Sequence, residues 1–255
     1  MYKRQDIDKL IEGTNEILTA NRNSLQLFDM LHSMRQFDDL TYVHSVNVAL
    51  IASILGQWLK FSEKDIRILT ISGLLHDIGK IMIPNEILTK PGKLTVAEYN
   101  IMKQHVNFGY EKVKNQNIDI RIKEACLLHH EKCDGTGYPF GLKSDHIPAV
   151  AKIIAIADVY DAMTSARVYR GALCPFEVID TMYKDAFTKF EPEYILPFLK
   201  NVASSYINND VRLSDGRIGK VVLINENALS LPIVQCEDEF IDLSKTRGLT
   251  VSAIL

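Results

Sequence analysis

The stretch Ile66-Arg-Ile-Leu-Thr-Ile-Ser-Gly-Leu-Leu-His76-Asp77-Ile-Gly-Lys80 decides how the chain is read. Its first ten residues carry apolar side chains at helical spacing, and a histidine and a carboxylate then arrive side by side. Alone, such a pair also occurs by chance, so its weight depends on the company it keeps. The helical rhythm continues outward. Ile7, Leu10, Ile11, Ile17 and Leu18 repeat it upstream, as do Val43, Val46, Leu50, Ile51 and Ile54. Downstream, a Pro91-Gly92 turn precedes Thr95-Val-Ala-Glu98, a capping box that predicts one helix carrying Tyr99, Met102, His105 and Val106. Further helices are expected over 120–130, 149–166, 176–190 and 192–207, with Pro175 suited to a first turn.

Near residue 210 the period changes. Val211-Arg-Leu213, a Ser214-Asp-Gly-Arg217 turn and Ile218–Ile224 read as strand, turn and strand. Leu231–Cys236, Phe240–Leu243 and Leu249–Ile254 are further short strands with turn residues between them. The fold expected is mainly α, a helical bundle with a small C-terminal β-rich subdomain. Its divisions are an N-terminal helical segment over 1–36, a body over 37–208 and the β-rich part over 209–255.

Length and composition narrow the functions available. A chain of 255 residues buries one large core with room for a small appendage. At 47% hydrophobic and 24% charged it is not a disordered chain. Twenty-nine basic residues against 32 acidic ones leave a net charge of −3, so no global field draws a DNA or RNA polymer. No run reaches the roughly 18–20 apolar residues of a membrane helix, and Met1-Tyr-Lys-Arg lacks the apolar core of a signal peptide. Cys126, Cys133, Cys174 and Cys236 show no CxxC spacing and read as free thiols in a reducing, cytoplasmic setting.

Donor atoms recur among the helices. His44 and His105 sit inside predicted helices, His76-Asp77 ends one, and His129-His130 form a tandem before Glu131. Taken singly, each is more often a packed or surface residue than a ligand. Together they bring imidazole and carboxylate from several helices of one bundle, as di-metal sites do. Asp158 and Asp161 lie three apart on one face of an apolar helix, where Asp158 reads as a ligand. Asp161 fits a cap or a salt-bridge partner equally well. Such ligands suit Fe, Mn, Co, Ni or Zn rather than Ca or Mg. Two such ions would activate a bridging hydroxide and clamp a phosphoryl group, which reaches a phosphoester hydrolase without naming its substrate. Asp134-Gly-Thr-Gly-Tyr-Pro139 is a tight loop, at its plainest simply a turn. Arg167 and Arg170 carry guanidinium groups of phosphate-matching shape.

In this order the pieces resemble the HD-GYP subgroup of the HD-domain phosphohydrolases. The resemblance runs from Asp38 to Leu199 through Asp38-Asp-Leu-Thr-Tyr-Val-His44, His76-Asp77-Ile-Gly-Lys80, Ile87-Leu-Thr-Lys-Pro-Gly-Lys93 and Met102-Lys-Gln-His105. It continues through His129-His130-Glu131, the Asp134–Pro139 loop, Ala157-Asp-Val-Tyr-Asp-Ala162 and Arg167-Val-Tyr-Arg170. It implies an HD-type bundle that hydrolyses cyclic di-GMP to linear 5′-pGpG, and in some relatives to GMP, at two divalent metals. Iron is the metal implied, with manganese, nickel and cobalt as alternatives.

His44, His76, Asp77 and Asp158 are implied around one metal, and His105, His129 and His130 around the second, with Asp77 bridging. Asp77 and Lys80 are implied as catalytic. Lys80, Asp134, Gly135, Gly137, Tyr138, Pro139, Arg167 and Arg170 are implied as substrate contacts, and Glu131 as a partner orienting an imidazole. Leu40 stands where some relatives place a glutamate for a third metal, so two are expected. Val168 replaces a usual proline and frees the turn that presents Arg167. Other readings are a hydrolase of another cyclic dinucleotide, and a slow or non-catalytic receptor that docks diguanylate cyclases. A homodimer contact is expected through the N-terminal helices, and the β-rich part has only a structural or docking role.

Overall fold

The computed structural model describes Met34, residues 39–165 and residues 173–255. Apart from Met34, the N-terminal helices and the dimer contact expected of them lie outside the described residues. So do Arg167, Val168 and Arg170. The chain forms two compact units, the first ending at Asp161 and the second spanning Ala162–Leu255.

In the first unit, α1 (Asp39–Trp58) and α2 (Glu63–Leu75) lead into a 3-10 turn over Ile78–Met82. Then come α3 (Asn85–Leu88), α4 (Val96–Met102), α5 (His105–Val113) and α6 (Ile120–Leu128), and α7 (Ala149–Thr164) runs past the boundary at Asp161 by its last three residues. Ser62 caps α2, its Oγ accepting from the Asp65 amide, and acidic Glu63 and Asp65 suit the positive end of that helix. Val46, Val48, Ala49, Ala52 and Leu55 of α1 are buried, as are Leu69, Ile71, Leu74 and Leu75 of α2, and the two helices pack on each other. By length and composition alone, Leu40–Trp58 could cross a membrane. It is instead a core helix of this unit that delivers a buried histidine.

The capping box forms as expected, Thr95 and Glu98 satisfying each other's backbone amides. The single helix predicted from it is broken. The Gln104 amide turns back to the Ile101 carbonyl, and the Met102 carbonyl accepts from the His105 ring. The helix stops at Met102 and a new one starts at His105.

In the second unit, α8 (Pro175–Asp185) and α9 (Pro192–Ser205) each start on a proline in the first turn. They precede β1 (Asp210–Leu213), β2 (Ile218–Leu223), β3 (Ile233–Cys236), β4 (Glu239–Asp242) and β5 (Val251–Ile254). The strands form an antiparallel sheet in the order β4-β3-β2-β1-β5. Val211, Leu213, Val221, Val234, Ile241 and Val251 are buried, and α8 packs against α9 and β5. The change of period near 208 thus falls inside this unit, where helices and sheet share a core. The fold is mainly α with a small C-terminal β-sheet.

Candidate metal centre

His76 ends α2, and its ring Nδ1–H donates to the Gly73 carbonyl one turn back, at 2.8 Å. Asp77 follows at the head of the 3-10 turn. Gly79 lets that turn lie against the start of α5, because a Cβ there would run into the His105 carbonyl and the Gly109 amide. The missing side chain therefore brings Asp77 beside His105, with Asp77 Oδ1 3.3 Å from His105 Nε2.

Two further imidazoles are oriented in the same local way. His105 Nδ1 donates to the Met102 carbonyl at 2.8 Å, and His129 Nδ1 to the Ala125 carbonyl at 3.0 Å. His44 Nδ1 instead bonds a carboxylate, Asp161 Oδ2, at 2.6 Å, while Asp161 Oδ1 accepts from Asn47 at 2.9 Å. Each bond directs Nε2 and its lone pair toward the centre, as in metal-binding histidines with a hydrogen-bonded outer nitrogen.

The inward atoms converge. Asp77, His105, His129 and His130 form one group of donors, His44, His76 and Asp77 a second, and His76, His129 and Asp158 a third. Within each group the ligand atoms lie within 4.8 Å of one another. These groups take in all seven residues proposed as ligands from the sequence, with Asp77 shared by two of them. His44, His76, Asp77, His105, His129 and Asp158 are buried, and His130 keeps 27% of its side chain exposed.

Two observations test whether metal ions fit. His44 Nε2, His76 Nε2 and Asp77 Oδ1 are buried without a hydrogen-bond partner, although His44 Nε2 comes within 3.0 Å of Asp158 Oδ1. Buried polar atoms are rarely left so. In addition, His105 Nε2 and His129 Nε2 face each other at 3.4 Å. Both rings give their Nδ1 protons to carbonyls, so in neutral form both facing atoms carry lone pairs. Cations between these atoms would remove both anomalies. The cluster fits a dinuclear metal site.

The electrostatics agree. Burial alone would raise Asp77, but Lys80 and His76 outweigh it and hold the carboxylate well below its usual range. Burial would likewise raise Asp158, and His44 and His130 overturn it. Burial lowers His105 and His129, and loss of solvent takes His130 down to about 3, so these rings are neutral and able to donate. His44 differs. Burial works against its charge, yet Asp158 and Asp161 carry it up to about 9, so a metal at Nε2 would displace a proton. The Lys80 ammonium pairs with Asp77 Oδ2 and stays 17% exposed.

The loop after the tandem histidines is held against the cluster. A Cβ at Gly137 would strike the backbone of His130, Glu131 and Lys132, so the loop lies flat on that strip. The Tyr138 amide donates to the His130 carbonyl, and the Tyr138 ring stacks on His130 at 4.7 Å. Gly135 takes a positive φ, Tyr138–Pro139 is cis, and Asp134 Oδ1 accepts from the Thr136 amide and hydroxyl. Glu131 corrects an expectation. Among the described residues it hydrogen-bonds no imidazole; its buried carboxylate accepts from the Phe140 and Leu142 amides at 2.7 and 2.9 Å and so ties down the loop. Glu131 lies beside the tandem, but its amide partners belong to residues whose side chains carry no signal.

Residues 10–194 match the model of the HD domain family, and the chain belongs to that family. The resemblance to its HD-GYP members, drawn from the motifs, agrees with this. Among relatives, a cyclic di-GMP phosphodiesterase of Pseudomonas aeruginosa, PA4108, is 36% identical over 203 residues, 79% of this chain and 49% of its own length. A 3′3′-cGAMP-specific phosphodiesterase of Vibrio cholerae is 32% identical over 194 residues, 74% of this chain and 37% of its own. Among solved structures, Bd1817, an HDGYP protein of Bdellovibrio bacteriovorus, shares the fold with a TM-score of 0.52 at 23% identity, covering 61% of this chain and 50% of that one. The chain spans about half the length of the first relatives it matches.

Proposed function

We propose that this chain hydrolyses cyclic di-GMP to linear 5′-pGpG. The observation that carries the reading is the pair of donor sets sharing Asp77, with His76 Nε2 and Asp77 Oδ1 buried and without a hydrogen-bond partner. His44, His76, Asp77 and Asp158 would hold one metal, and Asp77, His105, His129 and His130 the other. Two divalent transition metals, with iron our choice because imidazole and carboxylate suit it, would supply activated water and charge neutralisation at phosphorus.

The chain's own groups do the rest. Asp77, held ionised, keeps the shared position. Lys80, paired to Asp77 yet partly exposed, offers its ammonium to the phosphoryl oxygen or the departing ribose 3′-oxygen. Tyr138 on its His130 base, together with Asp134, Gly135, Gly137 and Pro139, forms the wall against which the dinucleotide lies, and Arg167 and Arg170 are our choice for further phosphate contacts. Four free cysteines suit a reducing cytoplasm.

The test is protein purified without oxygen, with metals counted by elemental analysis and cyclic di-GMP turnover followed by chromatography. About two metals per chain and linear pGpG are expected, both lost in Asp77→Ala. Metal-loaded protein that binds cyclic di-GMP but leaves it intact would move the assignment to a receptor. The 3′3′-cGAMP-specific relative supports a second reading, a mixed cyclic dinucleotide, which substrate competition in the same assay separates.

A further inference from the structure

Tyr99 and Lys103 stand one turn apart at the end of α4 and have no part in the donor cluster. The Tyr99 ring meets the Tyr138 ring edge to face, at 6.5 Å between centroids and 80° between planes. Tyr138 in turn stacks on His130. The two tyrosines thus make an open corner one ring away from the cluster, with Tyr99 48% exposed. Lys103 Nζ lies over both rings, 5.3 Å from Tyr99 and 6.0 Å from Tyr138. Among the described residues no carboxylate pairs with Lys103, so this ammonium is held by aromatic faces and has no counter-charge. The corner is tied to the cluster, because Lys103 sits between Met102, whose carbonyl orients the His105 ring, and His105 itself.

An exposed aromatic face beside an unneutralised cation is chemistry for a base joined to a phosphate. We infer that Tyr99 and Lys103 form a subsite for the half of the dinucleotide that is not being cleaved. Tyr99, at its corner with Tyr138, stacks one purine, and Lys103 meets the distal phosphate. This rests on the cyclic dinucleotide reading above. It adds recognition to a cluster whose donor set is indifferent to the nucleoside.

The test compares two substrates on metal-loaded protein: cyclic di-GMP, and methyl p-nitrophenyl phosphate, a diester with no base and no second phosphate. The quantity read is the ratio of their kcat/KM values. Tyr99→Ala is expected to lower that ratio on the order of tenfold, through KM for cyclic di-GMP, the size of one base–aromatic stack. Tyr99→Phe, which keeps the ring, is expected to hold the parent ratio. Lys103→Met is expected to lower it and to flatten the salt dependence of KM, since one phosphate contact is gone. If Tyr99→Ala and Lys103→Met lower both substrates equally, the residues only support the fold and the inference is overturned. An unchanged ratio in both variants overturns it as well. A parent protein that cleaves the simple diester but no cyclic dinucleotide overturns the functional reading and this subsite with it.

Discussion

The two compact units spend burial in opposite ways. Among the described residues, every buried polar or charged side chain belongs to the first unit: Thr41, His44, Ser45, Thr70, Ser72, His76, Asp77, His105, His129, Glu131, Asp158 and Asp161. The second unit buries hydrophobic side chains alone, from Phe176 and Ile179 on α8 to Val211, Val234 and Val251 in the sheet. Burying apolar surface is favourable without further arrangement, whereas a buried carboxylate is costly unless something answers its charge. The second unit is therefore explained by packing alone. The first carries groups that packing does not explain, and its orphaned atoms show where the remaining partners belong.

That contrast can be broken experimentally. Phe176→Ala should produce the largest loss of stability, about 3–5 kcal/mol from a cavity beneath α8, with metals per chain unchanged. Urea unfolding and elemental analysis read the two quantities, and a variant that also lost metal would show that the units are not energetically distinct. Stripping the metals with a chelator should cost the first unit about 2.7 kcal/mol for each metal lost, relative to metal at a hundredfold excess over Kd. Hydrogen exchange should place that loss in α1, α2, α5 and α6 rather than in the sheet.

Asp161→Asn should be milder. It keeps an acceptor for His44 but removes the charge, and roughly 10–100-fold weaker metal binding is expected, as for other partners of a ligating histidine. Competition with a fluorescent chelator measures it; equal loss at both metals would mean the bundle is disturbed rather than His44.

The smallest effect belongs to Glu98. Lys90, then the Thr95 amide, holds this partly exposed carboxyl down to about 2 from its ordinary 4.5. Its contribution to stability is thus complete above the ordinary value and disappears as pH falls through the lowered one. The melting-temperature gap between the parent and Glu98→Gln should be open at pH 6 and close between pH 4 and 2. A gap that persists at pH 2 would show that the charge is not its source.

Much of this was legible in the chain. Apolar spacing set out the helices of the first unit and the strands after residue 210, because both periods are local. The HD and HHE motifs announced their donors, because histidine is rare here and motif neighbours are close in sequence. What escaped depended on distance or on the backbone. Asp161 stayed undecided because its partner His44 lies 117 residues away. Glu131 was misread because its partners are main-chain amides, which every sequence offers. The break at Lys103–Gln104 carries no proline or glycine to announce it; it shows only in the Gln104 amide turning to the Ile101 carbonyl, three residues back rather than four.

The orientation of three imidazoles, His76, His105 and His129, is set by carbonyls three or four residues earlier in the same chain segment. Each helix therefore arrives with its donor already aimed. Assembly of the site becomes a docking of finished parts, in which any ion of suitable size and preference meets the same fixed angles. Local backbone thus fixes the angle of each of these three donors, and only the distances between them are left to the packing of the helices.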